Sequence, residues 1–514
     1  MMTDNIRNTM FGPNATFGRT YVDTQTPNSK DITVTKRFEL PKSLVNVAKT
    51  QKGQEILKKA QQGIPQTMEE HDADIFPKFP ENNYEEHQYL SLLEHILENG
   101  QYKGDRTGVG CYSVFGEMMR FDLKGGKIPL LTTKKMGIKS IIAELLWFLE
   151  GSTDNRRLNE LGATIWDEWA LENGDLGPIY GKWWTAWEVV DNHHIETTLH
   201  EALNDLNSDK EIARARLSGL LEYIKNPPKI NQIQELVTAL KENPTSRRML
   251  VTAWNPAVLP RDVKWEYNWL DPMAATEAVH TRWEPMSFDQ RADWLWETKG
   301  IGNGVFEEDY LEEYNAPTHR RRVKVSPQDN VKEGRAALPA CHTMFQVHTR
   351  ELSVDERLNI AERTVSDGVA LDEMFELAIC GLVDDDKEVI QRELVEKLDA
   401  VSVPKRALTL QFYARSQDTP LGTPYNIASY AILAHMLAQS VGMVAEECIW
   451  MGGDCHIYSN QLEGVKVQLE REPRSWPTIK LNPDVKDIFS FTTEDIELIG
   501  YEPHPKIDFG PVAI

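Results

Sequence analysis

The segment Leu338-Pro339-Ala340-Cys341-His342 places a thiol beside an imidazole. A thiolate attacks electron-poor carbon, and nearby cations raise the thiolate fraction. A lone Cys-His pair is weak evidence, because most cysteines are small, buried packing groups. Its value depends on its company. Three other segments set arginines beside small or turn-forming residues: Gly104-Asp105-Arg106-Thr107-Gly108, Ser246-Arg247-Arg248 and Ala414-Arg415-Ser416-Gln417-Asp418. Each arginine alone reads more readily as a surface charge. Together they would form an anion cradle, since guanidinium forks suit a phosphate dianion. Glu144 sits among Ile142, Leu145, Leu146 and Trp147. Apolar surroundings raise a carboxyl pKa, as a proton-transfer group needs, although the same periodicity allows a solvent-facing Glu. Asn426 carries an amide that both donates and accepts; Asn also favours helix N-caps.

The elements that must hold these residues are legible from periodicity. Tyr84 to Asn99 repeats Leu90, Leu93 and Leu97 at helical spacing and stops at Asn99-Gly100. Ile138, Ile141, Ile142, Leu145 and Leu149 share one helical face. Met249-Val251-Ala253 and Leu408-Leu410-Phe412 alternate as strands do. Asn426 to Ser440 reads as a buried helix. Residues 1–83 are polar, with one convincing helix near Ser43 to Gln62, and are expected to form a partly ordered extension. Residues 84–514 then form the main domain. Three stretches inside it, at about 196–229, 256–334 and 351–405, are charged or rich in Trp, Glu and Pro. Such stretches are expected as surface insertions. Within the second, Arg320-Arg321-Arg322 reads as a solvated basic turn.

Bulk properties narrow the classes. The chain has 514 residues, 41% hydrophobic and 26% charged, a globular balance. Its net charge of −23 opposes nucleic acid as a partner. No apolar run approaches the roughly 20 residues that span a bilayer. Met1 to Asn14 lacks the apolar core of a secretion signal. Five cysteines without a CxxC pair give no zinc framework and suit a reducing cytoplasm.

Longer blocks carry a family resemblance. They are Asp105-Arg106-Thr107-Gly108, Leu131-Thr132-Thr133-Lys134-Lys135, Glu144-Leu145-Leu146-Trp147-Phe148-Leu149 and Thr164-Ile165-Trp166-Asp167-Glu168-Trp169. Gly174-Asp175-Leu176-Gly177-Pro178-Ile179-Tyr180-Gly181, Ser246-Arg247-Arg248, Cys341-His342, Arg415-Ser416 and Asn426-Ile427-Ala428-Ser429-Tyr430 follow in order. Gly452 to Asn460 and Pro511-Val512-Ala513-Ile514 complete the set. The sequence resembles folate-dependent, flavin-independent thymidylate synthases over roughly half its length, about one ordinary domain.

The resemblance implies an α/β fold, three layers around a large, twisted, mixed sheet, with two sheets packed face to face in a homodimer. It implies that Cys341 adds to carbon 6 of dUMP, with His342 beside it. Arg106, Arg415 and Ser416 would hold the phosphate, completed by Arg247 and Arg248 from the partner subunit. Asn426 would read uracil, where related deoxycytidylate hydroxymethylases carry aspartate. His456 and Tyr458 would bond the ribose 3′-hydroxyl. Glu144, Asp418 and Tyr180 would assist proton transfers. The co-substrate would be 5,10-methylenetetrahydrofolate, with neither a metal nor a flavin. Its pterin would lie against Ile165, Trp166, Trp169, Leu421, Gly422 and Tyr425, with Asp418 at its edge. Trp166 would shield the methylene intermediate from water. Lys134 and Lys135 would lie near the glutamate tail, and Ala513 and Ile514 would close over the folate.

Some positions depart from the family pattern. Ala340 replaces a proline, and Gly137 stands where histidine is frequent. Ala414 and Gln417 flank Arg415-Ser416 in place of Gln and Cys, and Thr419-Pro420 replaces a Val-Phe type pair. Two rivals stay open. A dUMP hydroxymethylase would let water capture the methylene, although Trp166, Trp169 and the apolar tail favour methylation. A catalytically inactive binding homologue is the other. Large insertions would suit a viral or phage source, with the host cytoplasm as the location.

Overall fold

The computed structural model describes residues 85–104, 108–268, 319–383 and 387–510. The proposed extension over 1–83, with its helix near Ser43, lies outside the described residues, as do 269–318 of the second insertion. Helix α1 (Glu86–Asn99) leads into strands β1 (Gln101–Lys103) and β2 (Cys111–Asp122). Helices α2 (Ile138–Leu149) and α3 (Tyr180–Thr185) follow. A helical hairpin, α4 (Asn192–Ser208) and α5 (Lys210–Lys225), precedes α6 (Gln232–Glu242) and β3 (Leu250–Thr252). Strand β4 (His342–Glu351) and helix α7 (Val354–Thr364) come next. The chain closes with β5 (Arg406–Asp418), α8 (Gly422–Ser440), β6 (Val444–Tyr458) and α9 (Leu462–Leu469). By itself, a second compact unit contributes the helix Gly368–Val383.

Six strands form one mixed sheet in the order β1-β2-β6-β5-β4-β3. Only β5 and β6 run parallel; the other neighbours are antiparallel. The parallel pair needs a crossover, and α8 supplies it. Its Tyr430 ring stacks on Phe412 of β5, centroids 4.1 Å apart. Along β5, Leu408, Leu410, Phe412 and Ala414 are buried, the period of two expected when one face meets a core. Helix α2 buries Ile141, Ile142, Leu145, Leu146 and Leu149 in the same core.

Two expectations need correction. The helix expected from Asn426 begins one turn earlier, at Gly422. Pro424 lies in that first turn, where a missing N–H costs nothing. Asn426 is therefore inside the helix, and the N-cap role considered for it does not hold. The run Arg320-Arg321-Arg322 is not a turn. It lies in the strand His319–Lys324, paired antiparallel with Val263–Asn268, because cross-strand pairing satisfies backbone groups that a local charge pattern does not reveal. The α4–α5 hairpin is locally determined. Asp191 and Asp209 each accept two backbone N–H bonds at the helix starts. Helix α7 starts with a Ser353–Glu356 capping box, and Arg350 ties Glu356 to Glu446 of β6.

One buried charge organises the site side of the core. Glu86 is fully buried and accepts from the backbone N–H and hydroxyl of both Thr132 and Thr133. Burial raises its pKa, and these four donors oppose the shift. The carboxylate thus fixes the Leu131–Lys134 segment against α1. Glu86→Ala would strand two buried amides and remove one partner from each of two hydroxyls, which keep contacts to Arg474 and Gln468. It is expected to destabilise the fold by about 3 kcal/mol or more in denaturant unfolding, and Glu86→Gln by less.

Candidate active site

Cys341 sits at the entrance to β4, half-buried. Its backbone is held from two sides. The Cys341 N–H donates to the Tyr180 hydroxyl at 2.7 Å. Its carbonyl accepts from the Arg415 N–H at 2.8 Å. The Arg415 side chain grips the same loop, donating to the carbonyls of Ala340 at 2.9 Å and Pro339 at 3.1 Å. Its guanidinium carbon lies over the Trp254 ring, 5.3 Å from the centroid. One arginine thus fixes the backbone of residues 339–341 and brings a permanent cation to the thiol's loop. A lysine has a point charge and no planar fork. Arg415→Lys is expected to raise the KM for a phosphorylated substrate by about 10-fold or more while kcat falls less, as steady-state kinetics would measure.

Tyr180 stands on α3, where the chain turns through Gly177. That glycine has φ +67°, and a Cβ there would lie 2.2 Å from the Arg335 carbonyl. No other residue fits so close an approach with a left-handed backbone. The Tyr180 ring stacks on His342 at 4.1 Å and meets Trp166 edge-on at 6.2 Å. His342 is buried, shares a 2.9 Å hydrogen bond with Tyr430, and is pushed down to about 3 by burial. It is a neutral imidazole at neutral pH. Burial holds the Tyr180 and Tyr430 hydroxyls protonated, well above their usual range.

Trp166 donates its indole N–H to Glu144 at 2.8 Å. Burial raises the Glu144 carboxyl to about 7, against this hydrogen bond. A carboxyl near that value can hold or release a proton at neutral pH. Contacts therefore run from Cys341 through Tyr180 and Trp166 to Glu144. Trp169 packs edge-on to Trp166 at 5.7 Å, and Ile165 is 45% exposed beside them.

The C-terminal end of β5 carries a second group. Asp418 accepts from the Leu421 N–H at 2.9 Å and from Gln461 at 2.7 Å. Burial raises its pKa above the usual carboxylate range. His456 of β6 lies opposite Asp418 in the parallel pairing, and its carbonyl accepts from the Thr419 N–H. Ser416 lies opposite Asp454. His456 and Lys103 hold the Asp454 carboxyl down to about 2, so it stays anionic beside the imidazole. Tyr458 meets His456 edge-on at 5.0 Å. Asn426, on the second turn of α8, accepts through its Oδ1 from Gln417 at 3.0 Å.

Leu421 and Gly422 form the entry to α8, both half-buried, with Tyr425 one turn on. Lys134 is buried, donates to the Pro420 carbonyl, and lies 4.8 Å from the Phe509 ring and 6.0 Å from that of Tyr425. Burial lowers its pKa to about 7. Phe509 is itself buried against Gly464. The last described residues are thereby anchored beside the entry to α8. Lys135 is exposed.

The structure does not bring every expected residue together. Arg247 and Arg248 are exposed and precede the edge strand β3. Met249 lies beside Val347 and Leu250 opposite Gln346, so the arginines sit near the far end of β4 from Cys341. At about 3.3 Å per residue that is on the order of 20 Å away. They do not reach the Cys341 loop of their own chain. Arg106, Ala513 and Ile514 lie outside the described residues. Among the described residues no cluster of three or more His, Cys, Asp or Glu could hold a metal ion, and no helix is long and apolar enough to cross a membrane.

Four supporting residues, Glu86, Gln417, Gln461 and Trp254, are given no role by the sequence analysis. Glu86 does carry a signal: Tyr89, Leu90 and Leu93 follow it at i+3, i+4 and i+7, which puts it on the buried stripe. Gln417, Gln461 and Trp254 carry none, because their partners are set by long-range packing. Residues 87–267 and 395–513 match the family model for thymidylate synthase, more than half of the chain. The chain belongs to the thymidylate synthase family. Cys341 falls between the two matched segments, so its assignment rests on the local geometry and the Cys-His motif.

Proposed function

We propose that this chain is a thymidylate synthase that methylates carbon 5 of dUMP. The observation that carries this reading is the double grip on the Cys341 loop by Arg415 and Tyr180. It sets one thiol beside a cation and beside the aromatic path to Glu144.

In this reading the Cys341 thiolate bonds to carbon 6 of uracil, and carbon 5 becomes nucleophilic. The reduced folate, 5,10-methylenetetrahydrofolate, supplies the one-carbon unit and the hydride and leaves as dihydrofolate. Glu144, half-buried and near neutrality, holds or accepts the moving protons. Arg415 and Ser416, with Arg106, bind the phosphate. His456 and Tyr458 bond the 3′-hydroxyl, and Asn426 reads the base. Trp166, Trp169, Ile165, Leu421, Gly422 and Tyr425 provide flat apolar surface for the pterin, and Asp418 a polar edge. Lys134 lies beside the entry to α8, where it would face the bound folate, and Ala513 and Ile514 would close over it.

The distance of Arg247 and Arg248 from their own Cys341 fits donation to a partner subunit. A homodimer also suits the sheet face turned away from α8. There Met118, Met451, Tyr413 and Met344 form one cross-strand row, with Met118 and Met344 more than 40% exposed.

The test is an incubation with dUMP and 5,10-methylenetetrahydrofolate. Dihydrofolate and dTMP in equal amounts support the reading. A 5-hydroxymethyl product with tetrahydrofolate would make the chain a dUMP hydroxymethylase. Binding of dUMP without turnover would make it an inactive homologue.

A further inference from the structure

Asn426 cannot specify a base unless something decides which end of its amide faces the site. An amide turned by 180° exchanges donor for acceptor at nearly the same shape. Uracil offers an acceptor at carbon 4 and a donor at N3; cytosine offers the reverse. An unconstrained asparagine would therefore accommodate both bases, and each reading would cost only a rotation.

Gln417 removes that freedom. It is the penultimate residue of β5, 3% exposed, and reaches across the turn to the second turn of α8. Its Nε2 donates to Asn426 Oδ1 at 3.0 Å. The Asn426 oxygen is thereby committed on one side, and the Nδ2 donors are left for an incoming base. Turning Asn426 alone would set its NH2 against the Gln417 NH2, donor against donor, and turning both amides together would move the two-donor Gln417 NH2 into the buried place where its Oε1 finds no partner among the described residues. The turn between them is rigid. Thr419 N–H bonds the His456 carbonyl, and Asp418 bonds the Leu421 N–H and Gln461. The Gln417 Oε1 is buried without a hydrogen-bond partner among the described residues.

We propose that Gln417 is a specificity-determining residue, a positioning group that fixes the Asn426 amide so that the site selects a 4-keto, N3–H pyrimidine over a 4-amino one. This rests on the reading that Asn426 meets the base. Gln417 acts one step behind, without touching the nucleotide.

The experiment is calorimetric binding of dUMP and dCMP to the full chain, without folate, for the wild type, Gln417→Leu, Gln417→Glu and Asn426→Ala, each checked by thermal melting. The readout is the ratio of the two affinities, which a general loss of stability would not move. Gln417→Leu is expected to narrow the dUMP preference about fivefold to tenfold, the worth of one hydrogen bond. Gln417→Glu, measured in alkaline buffer so that a carboxyl raised by burial is ionised, offers only acceptors and is expected to turn Asn426 and narrow the preference further, with dCMP binding gained outright. In an Asn426→Ala background, Gln417→Leu is expected to leave the ratio unchanged. If Gln417→Glu does not fold, the Gln417→Leu ratio alone decides. A folded Gln417→Leu protein that binds dUMP with the wild-type ratio overturns the proposal. A wild-type protein that binds neither nucleotide, or both equally, overturns the base-recognition reading itself and the proposal with it.

Discussion

Cys341→Ala is expected to lower turnover on the order of 10³-fold or more while dUMP still binds within about tenfold of the wild type. The thiol's role is to form a bond in the reaction, and a methyl group at the entrance to β4 cannot replace it. The Sγ makes a long 3.9 Å contact with the Pro339 carbonyl. The loop is held by backbone bonds to Tyr180 and Arg415, which alanine leaves intact. Binding and chemistry should therefore separate cleanly. The measurements are dihydrofolate formation by absorbance and dUMP binding by calorimetry. Full turnover by the variant would refute the covalent route.

Glu144→Gln should lower kcat about 10²- to 10⁴-fold, the usual worth of a positioned proton-transfer group, with a smaller effect on KM. The same substitution should stabilise the protein in alkaline solution. Burial raises the Glu144 carboxyl from 4.5 to about 7, with the Trp166 N–H opposing. At pH 4 the group is protonated in both the folded and the unfolded chain and contributes no difference. Between 4.5 and about 7 the unfolded chain releases its proton while the folded chain keeps it, so stability falls as pH rises. Above about 7 the penalty is complete. The neutral amide of the variant escapes it and still accepts from Trp166. The variant should match the wild type near pH 4 and exceed it at pH 8 by on the order of 1–2 kcal/mol, allowing for partial solvent contact. Denaturant titrations at the two pH values measure this. Equal stability at both would place Glu144 in ordinary solvent. A gain in stability coupled to a loss in rate would mark the carboxylate as kept for chemistry.

Local order is legible wherever a residue's fate depends on near neighbours. The helix Ile138–Leu149 follows from its own apolar stripe, and it carries Glu144 with it. The alternation Leu408-Leu410-Phe412 marks the buried face of β5, and the motif around Arg415 lies on its continuation. The start of α8 is less legible. Gly422-Thr423-Pro424 reads locally as a turn, whereas burial of Thr423 and Pro424 makes it the first helical turn. That shift moves Asn426 from a capping position to a second-turn position within reach of Gln417.

The sequence by itself determined the chemistry available: one thiol, a set of arginines, a carboxylate in an apolar helix, an amide for a base, and the family to which these blocks belong. Only the tertiary structure decided which of them act together. Arg415 reaches the loop of Cys341 because β4 and β5 pair antiparallel, joining residues more than seventy positions apart. Arg247 and Arg248 are closer to Cys341 along the chain than Tyr180 is, yet the register of β3 on β4 carries them to the opposite end of the sheet. The physical reason is common to both. Side-chain chemistry is a property of a residue, whereas which groups meet is a property of strand register and packing, decided by pairing between segments far apart in the chain.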